Sequence, residues 1–252
     1  MIDPRLIATY VINLPRRPDR RAWMERQLPP GSRAVFTSDL KIDNDGNGLS
    51  EATLADRGIS LFDWQIDSPN PWWNRPLKFG EIGCTLAHLA CWRHALENTS
   101  TPYILILEDD AVFSARMGSD LLRGLALITA EREPFDLLYL GRYLLEPDTP
   151  TAIPGVVRPG YSHCTFAYLM TRAGTETAMN CGLDQAIIPI DEFLPSLYLP
   201  HPRADVRETF PPRVSALAFE PPLVTQRPKD EAGSDTEDSD FVGALGRLRR
   251  SR

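Results

Sequence analysis

The stretch "YILILEDDAVF", residues 103–113, decides how the chain folds. Ile104, Leu105, Ile106 and Leu107 form an unbroken apolar run, and Glu108, Asp109 and Asp110 follow it directly. A short apolar run of this kind reads as a strand buried on both faces, the habit of parallel sheets covered by helices. Three adjacent carboxylates at a strand end repel one another, so they need a cation or a set of amide donors, unless they form a solvated strand-to-loop corner. Side-chain alternation along a strand turns Glu108 and Asp110 to one side and Asp109 to the other.

Elsewhere in the chain, buried strands alternate with amphipathic helices. "YVINL" (10–14) reads as the first strand, followed by a helix from Pro18 with Trp23, Met24 and Leu28 as its apolar positions. "AVF" (34–36) is a second short strand, and "EIGCTLAHLACWRHALEN" (81–98) has helical spacing through Ile82, Leu86, Leu89, Trp92 and Leu96. After the acidic triplet come a helix near Ser119, the strand "FDLLYLGR", the extended "YSHCTFAYLMT", a helix in "RAGTETAMN" and the strand-like "ALAFEPPLVTQ". This order predicts an α/β fold with a mostly parallel central sheet, in which ligands bind beyond the carboxyl ends of the strands. Residues 1–228 read as the folded domain. Residues 229–252 read as a tail, acidic then basic and partly disordered.

The 252 residues carry a net charge of -7 and are 42% hydrophobic, enough for a substantial core and against a nucleic-acid-binding role. No apolar stretch is long enough to span a membrane and the N-terminus lacks a signal-peptide pattern, so the chain as given reads as cytoplasmic. Its four cysteines form no CxxC pair and read as free thiols. Cys84, His88 and Cys91 share one helical face without a fourth ligand, which favours a packed face over a metal stripe. Asp43, Asp45, Asn47 and Gly48 imitate the start of a calcium loop, but its twelfth position is Leu54, so a turn-rich surface loop is expected.

Three chemistries use an acidic strand end. A receiver domain would place the triplet near its own start and needs a later Asp and Lys that are missing here. A haloacid-dehalogenase-type phosphatase needs Asp, not Glu108, as its first acid. A nucleotide-sugar transferase fits better: a divalent cation on Glu108 and Asp110 would neutralise the diphosphate as the glycosidic bond breaks.

Six blocks then occur in order: "VINLPRRPDRRAWM", "GEIGCTLAHLACW", "ILEDDAVF", "DLLYLGR", "GYSHCTFAYLMTRAG" and "IPIDEFLPSLYLPHP". Together they resemble glycosyltransferase family 25, the lipooligosaccharide and collagen galactosyltransferases, over about Tyr10 to Asp240. The blocks near "PIDEFLPSLY" and "GSDTEDS" are most similar to the procollagen hydroxylysine enzymes. The resemblance implies a GT-A-like Rossmann-type fold, UDP-galactose as donor, manganese or another divalent cation, inversion at the anomeric carbon, and hydroxylysine or a glycan sugar as acceptor. One departure is Ala87, where family members often carry Ser before the histidine.

On that resemblance, backbone groups of Asn13 and Leu14 read the uracil edge, and Arg17 and Arg20 are the nearest cations. Gly80, Glu81 and Gly83 open a helix whose free amides attract phosphate, and His88 and Asp109 complete the nucleotide-sugar set. Glu108, Asp110 and His201 form the expected metal shell, with His163 as a further candidate. Trp72 or Trp73 stacks on a sugar face. Asp191 is the expected base for the acceptor hydroxyl, with Glu192 next. A catalytically silent relative that binds sugar or protein is the alternative.

Overall fold

The structure, a computed structural model, describes residues 4–243. The chain runs β1 (Ile7–Ile12), α1 (Pro18–Gln27), β2 (Val35–Phe36), α2 (Glu51–Asp56), α3 (Phe79–Asn98), β3 (Tyr103–Glu108), β4 (Ala111–Phe113) and α4 (Met117–Ala130). It continues through β5 (Leu137–Leu144), β6 (Thr149–Pro150), β7 (Val156–Arg158), β8 (Ser162–Thr171), α5 (Arg172–Met179) and α6 (Ile190–Ser196). The last elements are α7 (Ala204–Thr209), β9 (Ala216–Phe219), β10 (Val224–Gln226) and α8 (Lys229–Ala232).

Eight strands form one sheet in the order β2-β1-β3-β8-β5-β9-β7-β6. Only β8 and β7 oppose the common direction, so the fold is α/β with a mostly parallel central sheet, a GT-A-like Rossmann-type arrangement. Successive residues enter opposite cores, as a period of two requires. Tyr10, Ile104, Ile106, Leu137, Tyr139, Tyr168 and Met170 pack on the side of α3, α5 and α6. Val11, Leu105, Leu107, Leu138, Leu140, Ala167 and Leu169 pack on the side of α1 and α4. Both faces are therefore covered, and this is why the middles of the central strands are almost wholly apolar.

β1 lies between β2 and β3. The chain leaves β1 toward β2 through α1 on one face, and reaches β3 through α3 on the other. The carboxyl ends of β1 and β3 thus flank a crevice where the strand order reverses, the usual ligand site of such sheets. Two boundaries differ from the sequence pattern. β1 ends at Ile12, because Thr37 captures the main chain of Asn13. The run 103–113 breaks into a turn at Asp109 and Asp110, after which β4 pairs with β10 in a separate two-stranded sheet.

β8 is irregular where it meets β5. From the pair Gly141–Ala167 to the pair Tyr143–His163, β5 covers two residues and β8 covers four, with Cys164 in the left-handed region at φ 63°. This bulge brings Thr165 to the α3 side that Tyr168 already faces.

Gly141 sits where β10 crosses β5, and a Cβ there would lie 2.1 Å from the Val224 carbonyl oxygen and 2.3 Å from the Phe166 ring. Gly141→Ala is expected to cost about 2 kcal/mol and to lower the melting temperature by roughly 4–8 °C. An unchanged thermal transition would show that β10 does not press on β5.

Candidate active site

The crevice is closed by side chains from both strand ends. Asn13, just past β1, donates from Nδ2 to Asp109 Oδ2 at 2.7 Å and to the Arg17 carbonyl at 3.1 Å. Its N–H donates to Thr37 Oγ1 (2.8 Å), and the Thr37 hydroxyl donates back to its carbonyl (2.9 Å). The main-chain groups of Asn13 expected to read a base edge are therefore already satisfied. From α1, Arg20 Nη1 meets Asp109 Oδ1 at 2.8 Å and Asp110 Oδ2 at 3.5 Å. Its Nη2 donates to the carbonyls of Ala232 (3.1 Å) and Gly233 (2.9 Å).

Residues 229–243 belong to the folded body, and the basic end of the chain lies outside the described residues. This acidic strap crosses the crevice. Asp235 pairs with Arg16 Nη1 at 2.5 Å and with Arg17 Nη1 at 2.6 Å. Gly80 N donates to Ser239 Oγ at 2.8 Å, and Phe79 N to the Asp240 carbonyl at 2.9 Å. A Cβ on Gly80 would meet Thr236 Cα at 2.7 Å, so glycine there admits the strap itself. The predicted arginines and the α3 N-terminus are brought together, with the strap supplying their partners.

Glu81 caps α3 by accepting from Lys78 N at 2.8 Å and pairs with Arg75 at 2.5 Å. Gly83 faces no ligand space, since an added Cβ would lie 2.1 Å from the Asn44 carbonyl oxygen. It is a close-packing glycine, not part of a phosphate cradle. The loop imitating a calcium site packs against this helix, with Asp45 bound to Arg16 at 2.7 Å.

Two cavities meet at the end of β3. The first, about 80 Å³, is lined by Asn13, Leu14, Arg20, Gly80, Asp109 and Asp235 among others. The second, about 230 Å³, is bounded by Trp72, Glu81, His163, Thr165, Asp191 and Gln226 among others. Cys84, Glu108 and Thr236 line both. Among the described residues, the buried side-chain polar atoms without a hydrogen-bond partner are Arg20 Nε and His163 Nε2. Each belongs to a residue in the wall of one cavity, and His163 Nε2 lies 3.7 Å from Glu192 Oε1.

Glu108 accepts from Thr165 Oγ1 at 2.7 Å. Burial, with the charges of Asp110 and Asp191, pushes its carboxyl up to about 8. Asp110 is raised by burial although Arg20 opposes the shift, and it accepts from Gln226 Nε2 at 3.2 Å. Asp109 is pushed up to about 6, again by burial against the pull of Arg20. Contrary to strict alternation, Asp109 and Asp110 both contact Arg20, because they lie in the turn and not on the strand.

Asp191 and Glu192 open α6 and have opposite environments. Asp191 is raised by burial, with His163 opposing. Glu192 accepts from Tyr161 Oη at 2.5 Å, His201 Nε2 at 2.9 Å and Trp73 Nε1 at 3.1 Å. Despite burial, these donors and His163 hold it far below the ordinary glutamate range, so Glu192 is a poor base and a strong anchor. His201 does not reach the acidic triplet: its Nδ1 accepts from Arg203 N at 3.0 Å while Nε2 engages Glu192. Both ring nitrogens are used, which removes it from the metal shell. Trp73 serves the same anchor, whereas Trp72 is half-exposed at the cavity with Arg75 over its ring.

His88 is fully buried, and burial pushes its imidazole down to about 3. It faces Glu108 and Thr165 rather than the first cavity. Thr165, Tyr168, Tyr161, Gln226 and Asp235 were not singled out by sequence reasoning. A hydroxyl inside the apolar run of β8 was the signal for Thr165.

The family model described as glycosyltransferase family 25 (LPS biosynthesis protein) matches residues 6–144. The chain is 33% identical over 238 residues to inactive glycosyltransferase 25 family member 3 of Homo sapiens, covering 91% of this chain and 39% of that protein. It is 33% identical over 244 residues to procollagen galactosyltransferase 1-A of Xenopus laevis (91% and 38%). It is 30% identical over 220 residues to procollagen galactosyltransferase 2 of Homo sapiens (85% and 34%). The chain thus spans well under half the length of these relatives.

Because Glu108 binds its proton more tightly folded than unfolded, its penalty is full above the folded value and fades as pH falls toward the ordinary glutamate value. After treatment with EDTA, the chain is expected to melt at a higher temperature at about pH 6 than at about pH 8.5, and Glu108→Gln to flatten that dependence. Calorimetry showing equal slopes for the two proteins would contradict the buried, charge-crowded placement of Glu108.

Proposed function

As a member of glycosyltransferase family 25, the chain is one that, we propose, moves galactose from UDP-galactose to an acceptor hydroxyl, that of a collagen-like hydroxylysine or of a glycan sugar. The observation that carries this reading is the position of Glu108 at the meeting of two cavities, one walled by Arg20 and Asn13, the other by Asp191 and Trp72. The arginine beside the first suits a diphosphate and the second a sugar with its acceptor, so the bond to be broken would lie beside Glu108.

The acids also suit a divalent cation. Glu108 and Asp110 are hard oxygen donors, the kind that manganese or magnesium favours; burial and the charges of Asp110 and Asp191 leave Glu108 short of positive charge, while Asp110 shares Arg20. A divalent ion held there supplies charge neutralisation for the departing diphosphate. The chain's own groups account for the remaining roles. Arg20, with its spare buried Nε, and Arg17 hold the diphosphate in exchange for Asp235. Trp72 offers a ring face to the sugar.

Asp191 takes the proton. The acceptor oxygen attacks the anomeric carbon as its O–H proton passes to the Asp191 carboxylate. The carbon–oxygen bond to the phosphate breaks and its electron pair leaves on UDP. A carboxylate raised by burial is a stronger base than a solvated aspartate. Glu192, anchored by three donors, fixes the first turn of α6 and so aims its neighbour.

A catalytically silent, ligand-binding role is the second reading, favoured by the similarity to inactive glycosyltransferase 25 family member 3 and by Asp235 on the arginines.

UDP release over a donor panel with manganese separates the two. UDP-galactose is expected to turn over fastest, EDTA to abolish release, and Asp110→Asn to lower it about a thousandfold, a loss of ~4 kcal/mol. Asp191→Asn is expected to lower turnover at least ~100-fold while UDP affinity measured by calorimetry is unchanged. Turnover in excess EDTA, or a clear preference for UDP-glucose, would overturn the metal or donor assignment. No UDP release from any donor would favour the silent reading.

A further inference from the structure

Cys84, His88 and Glu108 converge although they come from α3 and the end of β3. One ligand atom from each, a thiol sulfur, an imidazole nitrogen and a carboxylate oxygen, lies within 4.8 Å of the others. The helical spacing that pairs Cys84 and His88 with Cys91 misleads, because Cys91 is fully buried in the apolar core. The third group arrives from the strand end instead.

The surroundings of His88 are those of a metal ligand held from behind. Its Nδ1 is 2.6 Å from Tyr168 Oη, and that oxygen accepts from Trp92 Nε1 at 3.1 Å. The ring stacks on Tyr168 with centroids 5.6 Å apart and planes 12° from parallel. A partner on one nitrogen fixes ring orientation and leaves the other to bind, the arrangement found around metal-bound histidines. The other nitrogen, Nε2, has only Thr165 Oγ1 at 3.5 Å. Cys84 lines both cavities, so an ion has a route to the sulfur. Glu108, Asp191 and Asp110 all lie close enough to act on that thiol, so an entering cation finds further oxygen donors nearby.

We infer that Cys84, His88 and Glu108 form a zinc site that excludes a harder divalent ion from Glu108. A thiolate–imidazole–carboxylate set suits zinc and cobalt, whereas the all-oxygen pair of Glu108 and Asp110 suits manganese or magnesium. Glu108 serves both sets, so the two kinds of ion compete for one carboxylate. Without an ion, burial keeps the Cys84 thiol protonated. On binding, the Cys84 S–H proton passes to solvent as the metal–sulfur bond forms. Soft ions would thereby act as antagonists of whatever the harder ion supports.

The inference does not depend on sugar transfer, and its test needs none. The full chain, stripped with EDTA, is titrated with cobalt and then with zinc. Cobalt is expected to give a near-ultraviolet thiolate-to-metal charge-transfer band that one equivalent of zinc removes. Cys84→Ser, a conservative change at a partly buried position, is expected to lose the band and to weaken zinc binding at least ~10-fold by calorimetry, while Cys164→Ser keeps both. Zinc is also expected to raise the melting temperature of the starting protein and not of Cys84→Ser. By electron paramagnetic resonance, zinc is expected to release bound manganese, and Cys84→Ser to need at least ~10-fold more zinc for the same release. No band in the starting protein, a band that survives Cys84→Ser, or zinc that leaves bound manganese in place would overturn the inference. Zinc binding with no manganese binding at all would overturn the shared carboxylate and, separately, the metal assignment of the transfer reaction.

Discussion

Arg20 is buried at the centre of the crevice, and a buried guanidinium must be paired or it destabilises the fold strongly. Its partners come from two segments: Asp109 and Asp110 after β3, and the carbonyls of Ala232 and Gly233 in the strap. One side chain from α1 thus ties β3 and the C-terminal strap into one unit. It also divides the acids. Asp109 and Asp110 have a cation beside them, whereas Glu108 has only the Thr165 hydroxyl. Glu108 and Asp191 both lie in the wall of the larger cavity, and burial raises both.

α6 shows how consecutive residues of one type are given different work. Glu192 points into a ring of donors and stays charged, while Asp191 lacks such a ring and is raised. Pairs of titratable groups whose surroundings push their protonation apart are the usual mark of an acid–base assignment. Here the separation is made by His163, His201 and Tyr161, with Trp73 adding a further hydrogen bond to the same carboxylate.

The sheet was legible because its strands are apolar on both faces and each carries its own pattern. Glu108 and Asp191 were legible for the same local reason, each ending an apolar run. What could not be read depends on distant contacts. Thr165 faces His88 only because β8 takes up extra residues against β5, and a bulge has no simple signature in "YSHCTFAY". His201 resembles a ligand until Arg203 and Glu192 are found on its two nitrogens. Gly83 resembles a phosphate cradle until Asn44 is found against it. The acidic strap reads as solvated chain by composition, yet it is fixed by arginines more than 200 positions earlier.

That strap makes anion binding in the first cavity an exchange. Arg16 and Arg17 already hold the Asp235 carboxylate, so an incoming anion gains only the difference between two pairings at those residues. Such an exchange changes the local charge little, and its affinity responds weakly to ionic strength compared with binding to bare arginines. Discrimination between anions then rests on what Asp235 cannot supply: a second charge and a reach to the unpaired Nε of Arg20. Any anion entering this corner would be measured against the chain's own carboxylate.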